Sequence, residues 1–301
     1  MSATSPYIGR FAPTPSGHLH FGSLLAALAS YLDARAHQGT WLIRMEDLDQ
    51  PRNKPGAAEQ ILATLHAFGL EHDGELWIQS ERQAIYAAQI DAWLEQGLAY
   101  YCDCSRRDLE SHQGVYPGTC RDRGLPPAPD HAVRVIAGPH AYDFIDRLQP
   151  ATRKPQHLES EVGDFVIRRR DGIVAYQLAV VMDDVAQGVT DIVRGADLLD
   201  STPRQLRLYD LLGAPPPRYL HIPLVVRQQG EKLSKRLGSA ALDVAHASDT
   251  LFTALVALHQ QPPQTLRGAS IRAQLDWAIE HWNPLRLPAV QEIRQDQLPQ
   301  Y

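Results

Sequence analysis

The sequence predicts a mixed α/β fold: a parallel sheet flanked by helices, interrupted by a cysteine-bearing insertion and followed by a short helical tail. Three observations carry this reading. The first hundred residues alternate strand-like and helix-like segments, as parallel α/β units do. That alternation breaks at Tyr100, where cysteines, prolines and short β-like runs crowd together. It returns near Asp164 and gives way after Ser239 to helical spacing.

Taken in order, Tyr7–Phe11 reads as a strand and Ala12–Gly22 as a Pro/Gly-rich loop. A helix follows with Leu24, Leu25, Leu28 and Leu32 on one face. Trp41–Met45 is the next strand, and helices cover Ala57–Phe68 and Arg82–Gln96. The insertion holds Pro126, Pro127 and Pro129 and β-like runs at Val133–Ile136 and Tyr142–Ile145. Strands at Asp164–Arg169 and Val189–Val193, a helix over Pro203–Leu212 and a strand at His221–Val226 resume the α/β pattern. Leu251, Leu255 and Leu258 mark a helix in the tail. The expected division is 1–99 and 161–240 for the two halves of one domain, 100–160 for the insertion and 241–301 for the tail.

The chain has 301 residues, 44% of them hydrophobic, enough to bury a sizeable core. No apolar run approaches the ~20 residues that span a bilayer. Met1–Gly17 lacks the basic and apolar stretches of a signal peptide, so the expected compartment is the cytoplasm. A net charge of −6 argues against a chain coated in positive charge for indiscriminate nucleic-acid binding. A local basic groove stays open, lined by Arg106–Arg107, Arg121, Arg123, Arg153–Lys154 and Arg168–Arg170, with ordinary solvated surface as the competing reading. Three clustered cysteines, Cys102, Cys104 and Cys120, read poorly as a disulfide framework and better as metal ligands.

Two segments suit phosphate chemistry. In Arg10–Ser23 a strand feeds a loop of small residues and then a helix, so backbone N–H groups gather at a helix N-terminus, where anions bind. His20 stands at the helix start and can hydrogen-bond a phosphate oxygen, Gly22 lets a nucleotide approach the backbone, and His18 reads as surface. In Lys232–Arg236 a polar, glycine-flanked loop offers cations to a departing pyrophosphate. The thiols suit tetrahedral zinc, with His112 the chemical default for a fourth ligand.

These two segments resemble the HIGH and KMSKS signatures of class I aminoacyl-tRNA synthetases. RFAPTPSGHLHFGS (10–23), IRMEDLDQPR (43–52), WIQSER (77–82), DFVIRRRDGIVAYQLAVVMDD (164–184), VTDIVRGADLLDSTPRQ (189–205) and KLSKR (232–236) resemble the glutamyl branch, in the expected order. Ser23 and Arg236 depart from the two signatures in ways normal for that branch. The resemblance implies a Rossmann-type class I catalytic domain that forms an adenylate from ATP with Mg2+. ATP would lie against Pro13, His20, Gly22, Ser23, Lys232, Ser234 and Lys235, with His20 and Lys235 catalytic. Glutamate would lie against Arg10, Phe11, Ala12, Pro13, Thr14, Glu46, Tyr176 and Arg194. Its carboxylates need cations, with Arg194 favoured for the side chain; Glu46 would face the ammonium group, and Tyr176 would add a hydroxyl. The competing reading of Arg194 is an ion pair with Asp191 or Asp197, and that of Glu46 a surface carboxylate. The resemblance also implies one structural Zn2+ on Cys102, Cys104, Tyr116 and Cys120, with Tyr116 in the place of His112; three buried free thiols are the alternative.

The last 65 residues follow Arg236, too few for the anticodon-reading region of ordinary glutamyl-tRNA synthetases. The resemblance therefore narrows to the glutamyl-Q tRNA(Asp) synthetase family, shorter paralogues expected to act as monomers. It implies activation of L-glutamate without tRNA and transfer to the queuosine base at the wobble position of tRNA(Asp). A queuine hydroxyl would attack the mixed anhydride, with no protein nucleophile. Two other readings stay open: a shortened synthetase charging a tRNA 3′ end, and a non-catalytic tRNA-binding paralogue. The pattern of Arg10, Glu46 and Arg194 disfavours a pantothenate-synthetase-like enzyme.

Overall fold

The structure, a computed structural model, describes residues 6–110, 112–149, 155–226 and 241–294. β1 (Ile8–Phe11) leads through the loop into α1 (Phe21–Ala36), and β2 (Thr40–Met45) returns parallel to β1, with Ile8 opposite Thr40 and Phe11 opposite Ile43. The four leucines of the predicted α1 stripe are all buried. The α1–β2 turn needs a glycine at 39, because a Cβ there would lie 2.5 Å from the Tyr7 carbonyl oxygen. α2 (Ala57–Ala67) leads to β3 (Trp77–Ile78), which pairs parallel with β2, and α3 (Gln83–Glu95) follows.

The insertion comprises β4 (Ala99–Cys102), α4 (Arg106–Glu110), β5 (Ala132–Val135), β6 (Ala141–Tyr142), β7 (Gln156–His157), α5 (Leu158–Glu161) and β8 (Phe165–Arg168). β4, β5 and β8 form one antiparallel sheet. This corrects the sequence reading of 164–169 as the return of the parallel unit. The run predicted over Tyr142–Ile145 also stops at Tyr142, where the Asp143 side chain accepts from the Phe144 N–H and turns the chain.

The parallel sheet resumes after α6 (Tyr176–Ala186), with β9 (Asp191–Gly195), α7 (Thr202–Leu212) and β10 (Arg218–Ile222), β9 and β10 pairing in parallel. β9 lies beside β1, where the Thr190 N–H donates to the Ile8 carbonyl and the Ile8 N–H to Thr190 Oγ1. The β9–β10 pair thus runs alongside the three-stranded β1–β2–β3 sheet on its β1 side. Pro223, which has no N–H to give a ladder, divides the predicted strand at 221–226. β11 (Leu224–Val226) turns away after it. α8 (Ala247–Ala257) and α9 (Ile271–His281) supply the expected helical tail, but the tail ends in β12 (Glu292–Arg294), parallel to β11.

One apolar core packs α1, α8 and α9 against one face of the parallel sheet, through Leu28, Leu251 and Leu275. A second joins α3, α6 and α7 to the insertion, through Ile90, Val181 and Leu208. Among the described residues no helix is long and apolar enough to cross a membrane.

Candidate active site

The end of β1 and the start of α1 open onto a cavity of about 310 Å³. Pro13, His20, Gly22 and Ser23 line one side, and Gly195, Leu224 and Val225 the other. Four of the residues expected to hold ATP therefore share one hollow at a helix N-terminus. His20 is also the N-cap of α1. Its Nδ1 accepts from the Ser23 N–H at 3.2 Å, and its Nε2 lies 2.9 Å from Ser23 Oγ. Gly22 makes room for this ring as well as for a ligand, since a Cβ there would lie 3.3 Å from the imidazole. His18 is exposed at the cavity rim. Lys232, Ser234 and Lys235 lie outside the described residues.

Thr14 borders both this cavity and a second one of about 340 Å³, lined also by Glu46 and Tyr176. Phe11 and Pro13 line the first cavity, and Ala12 stands between them in the chain. Tyr176 begins α6, and although it is 37% exposed as a residue, surrounding protein pushes its hydroxyl above the usual range. Arg194 and Arg10 pull it down while Glu46 and Asp184 push it up, so all four charges act on this hydroxyl. Burial pushes the Glu46 carboxyl up to about 7, against the pull of Arg44 and Arg10.

The two arginines differ in their partners. Arg10 is buried and already paired: its Nε lies 3.1 Å from Asp184 Oδ1 and its Nη2 3.4 Å from Asp184 Oδ2. Arg194 has no ion pair among the described residues. Asp191, one suspected partner, takes Arg218 at 2.8 Å instead. The Arg194 guanidinium donates to His221 Nε2 at 3.0 Å and to Thr202 Oγ1 at 2.9 Å, and its buried Nη1 has no partner among the described residues. An unpaired buried donor of this kind calls for an acceptor.

Sequence reading assigned no role to the groups behind this site. Asp184 bridges Arg10 and Arg44, whose Nη2 it meets at 2.8 Å. Its neighbour Asp183 accepts from Arg82 at 2.8 Å, Gln79 at 2.9 Å and the Tyr86 hydroxyl at 2.8 Å. The sequence signal was two adjacent acids inside an apolar run, which is costly unless each is paired.

In the insertion, Cys102, Cys104 and Cys120 bring their Sγ atoms within 4.8 Å of one another, a donor set that can hold a metal ion. The Tyr116 hydroxyl lies 3.4 Å from Cys102 Sγ and 3.8 Å from Cys104 Sγ. His112 is exposed and outside this group. The buried Arg134 stacks on the Tyr116 ring at 3.8 Å and donates to Cys102 Sγ at 3.2 Å. Gly163 must be glycine, because its φ is +73° and a Cβ would fall 2.0 Å from the Tyr116 carbonyl oxygen.

Most of the suspected basic groove is committed internally. Arg121 forks onto Asp164 at 2.8 and 3.0 Å, Arg123 onto Asp103 at 2.6 and 2.9 Å, and Arg169 pairs with Asp171 at 2.6 Å. Arg170 donates to the Asp103 carbonyl and Arg168 sits over the Tyr101 ring. Arg107 stays exposed, and Arg153–Lys154 lie outside the described residues.

Comparison with known proteins gives a consistent result. The pattern described as tRNA synthetases class I (E and Q), catalytic domain, matches residues 8–123 and 139–261. The chain is 59% identical over 292 residues to a glutamyl-Q tRNA(Asp) synthetase of Ectopseudomonas mendocina, covering 97% of this chain and 98% of that one. It is 56% identical over 295 residues to one of Pseudomonas aeruginosa, covering 98% and 100%. Its fold matches the crystal structure of a glutamate tRNA ligase from Elizabethkingia meningosepticum in complex with its amino acid. That likeness has a TM-score of 0.76 at 23% identity, over 96% of this chain and 67% of the other.

Proposed function

Because the chain belongs to the class I tRNA synthetases of the E and Q type, and within them to the glutamyl-Q tRNA(Asp) synthetase family, we propose that it activates L-glutamate with ATP and passes the glutamyl group to the queuosine base of tRNA(Asp). The observation that carries the amino-acid half is the buried Arg194 guanidinium, whose Nη1 has no partner among the described residues, together with Glu46 and Tyr176 on the wall of the second cavity. L-Glutamate carries two carboxylates and one ammonium group, and so calls for a cationic donor and an anionic acceptor. Arg194 Nη1 would take the side-chain carboxylate and Glu46 the ammonium group, with the Tyr176 hydroxyl beside them.

ATP would lie in the cavity lined by Pro13, His20, Gly22 and Ser23, which shares Thr14 with the amino-acid side. That common wall would let the glutamate α-carboxylate reach the α-phosphate, and pyrophosphate would leave. Catalysis then rests on positioning and charge neutralisation by the α1 N-terminus, His20 and Lys235. Mg2+ travelling with ATP would neutralise phosphate charge. Zn2+ would sit on Cys102, Cys104, Cys120 and Tyr116 and hold the insertion together, taking no part in the chemistry.

Pyrophosphate exchange without tRNA tests the first half. Glutamate should support it, glutamine and aspartate should not, and Lys235→Ala should lower it strongly in a folded protein. For the second half, an anticodon stem-loop with queuosine should accept glutamate, and the same loop with guanosine should not. Glutamate found on the 3′ adenosine of an unmodified tRNA would overturn the acceptor assignment.

A further inference from the structure

Arg194 is held from behind by a buried chain of hydrogen bonds that crosses three parts of the fold. A guanidinium has only donors, so its Nε–H, 3.0 Å from His221 Nε2, requires a lone pair on that nitrogen. The single proton of the neutral imidazole then sits on Nδ1, where Asp146 Oδ2 accepts it at 2.6 Å. Asp146 is itself fixed, since its Oδ1 accepts from the Leu148 and Gln149 N–H groups at 2.9 and 2.8 Å, and the His221 N–H points at both its oxygens. Burial works against the Asp146 carboxylate, but the hydrogen bonds from His221 and the backbone hold it below the usual range. His221 is fully buried and packs against the rings of Tyr219 and Phe144. Were its proton on Nε2, or were it doubly protonated, two donors would face each other across 3.0 Å.

We propose that Asp146 and His221 form a positioning relay. Asp146 selects the imidazole tautomer, His221 clamps Arg194 Nε, and Thr202 clamps Nη2, so that Nη1 is left aimed at the side-chain carboxylate of the amino acid. This rests on the glutamate reading above. The consequence is selectivity. A guanidinium fixed in one plane offers donors to a carboxylate oxygen and meets the amide NH2 of glutamine with a donor-to-donor clash. Loosened, it can swing, and both the grip and the discrimination decline.

His221→Phe keeps the ring packing and removes the acceptor, whereas His221→Gln places an amide oxygen near the lost Nε2. In pyrophosphate exchange, His221→Phe should raise the KM for glutamate by about ten- to a hundredfold, leave the KM for ATP unchanged, and narrow the preference for glutamate over glutamine. His221→Gln should recover most of the loss. A folded His221→Phe protein with the parent's KM for glutamate, or a Gln variant no better than the Phe one, overturns the relay. A second measurement needs no variant and no substrate. Nitrogen-15 NMR of the whole chain should show His221 as the single Nδ1-protonated tautomer near neutral pH, and an Nε2-protonated or doubly protonated ring overturns the proposal. Should the parent chain exchange pyrophosphate with no amino acid at all, the glutamate reading falls, while the nitrogen spectrum still decides the relay.

Discussion

Glu46 is ionised with difficulty until something positive arrives. Burial pushes its carboxyl up to about 7, and a bound ammonium group would favour the charged form. Glutamate binding should therefore expel a proton near neutral pH, and the KM for glutamate should climb as pH falls through about 7; a flat profile from a unit above to a unit below would dismiss the contact. The sign for stability is opposite. A folded-state value raised above the unfolded one favours the fold below the unfolded pKa, and that contribution is lost as pH rises toward 7. Glu46→Gln should flatten that slope in urea titrations while glutamate affinity collapses. Behind it, Asp184 neutralises Arg10 at 3.1 Å and Arg44 at 2.8 Å, all three side chains being buried. Asp184→Ala leaves two guanidiniums in a dry site with one partner fewer, and should cost about 3–5 kcal/mol of stability in chemical unfolding. A loss well under 1 kcal/mol would mean that Glu46 and Asp183 can take over the pairing.

Elements show why local pattern carried the reading only part of the way. α1 was legible because its leucines recur at helical spacing over a long segment. α6 was not read as a helix: Leu178 through Asp184 form one continuous buried run, and a short apolar run is compatible with helix and strand alike. The same helix presents Tyr176 at its N-terminal end and Asp183 and Asp184 near its C-terminal end, so one element that periodicity misses furnishes three groups of the site. β4, whose last residue is Cys102, belongs to the sheet that also contains the Arg134 strand β5. A metal on the thiols would thus brace one edge of the insertion. Protein purified without chelator should contain about one zinc per chain. Stripping it should speed amide hydrogen exchange through β4, β5 and the Tyr116 turn far more than through α1 and β1, because structural metal couples to local folding. Equal acceleration across the whole chain, or no metal at all, would count against the site.

At the scale of the molecule, Asp33 ties the pieces together. It accepts from the Tyr7 hydroxyl ahead of β1, from Arg147 at 2.5 and 2.9 Å after β6 in the insertion, and from the Trp282 indole at 2.9 Å in the tail. Burial raises its carboxyl, but these donors hold it below the usual range. Its contribution is therefore present above the unfolded carboxylate pKa and lost as pH falls through the lower folded value. Asp33→Ala should cost about 3 kcal/mol by leaving Arg147 with only the longer contact to Asp191 at 3.7 Å. Trp282→Phe, which removes one neutral donor and keeps a ring, should cost only about 1 kcal/mol. Equal losses in the two variants would show that the tail, rather than the ion pair, dominates this junction.

The sequence by itself determined the α/β alternation around the first strands, the phosphate-binding turn from β1 into α1, the cysteine cluster and the glutamyl-type motifs, because each depends on residues close together in the chain. Periodicity, turn chemistry and short motifs act over a few residues, and they can be read without knowing what packs against what. Only the tertiary structure decided that 165–168 joins the antiparallel sheet, that 292–294 pairs with 224–226, and that Arg10 is already neutralised while Arg194 keeps a donor in reserve. Asp146 and His221 are separated by 75 positions, as Asp33 and Trp282 are by 249. In a linear reading each is a lone polar residue, indistinguishable from a solvated one. Burial makes its partner obligatory, and which residues are buried together is set by long-range packing of the whole chain.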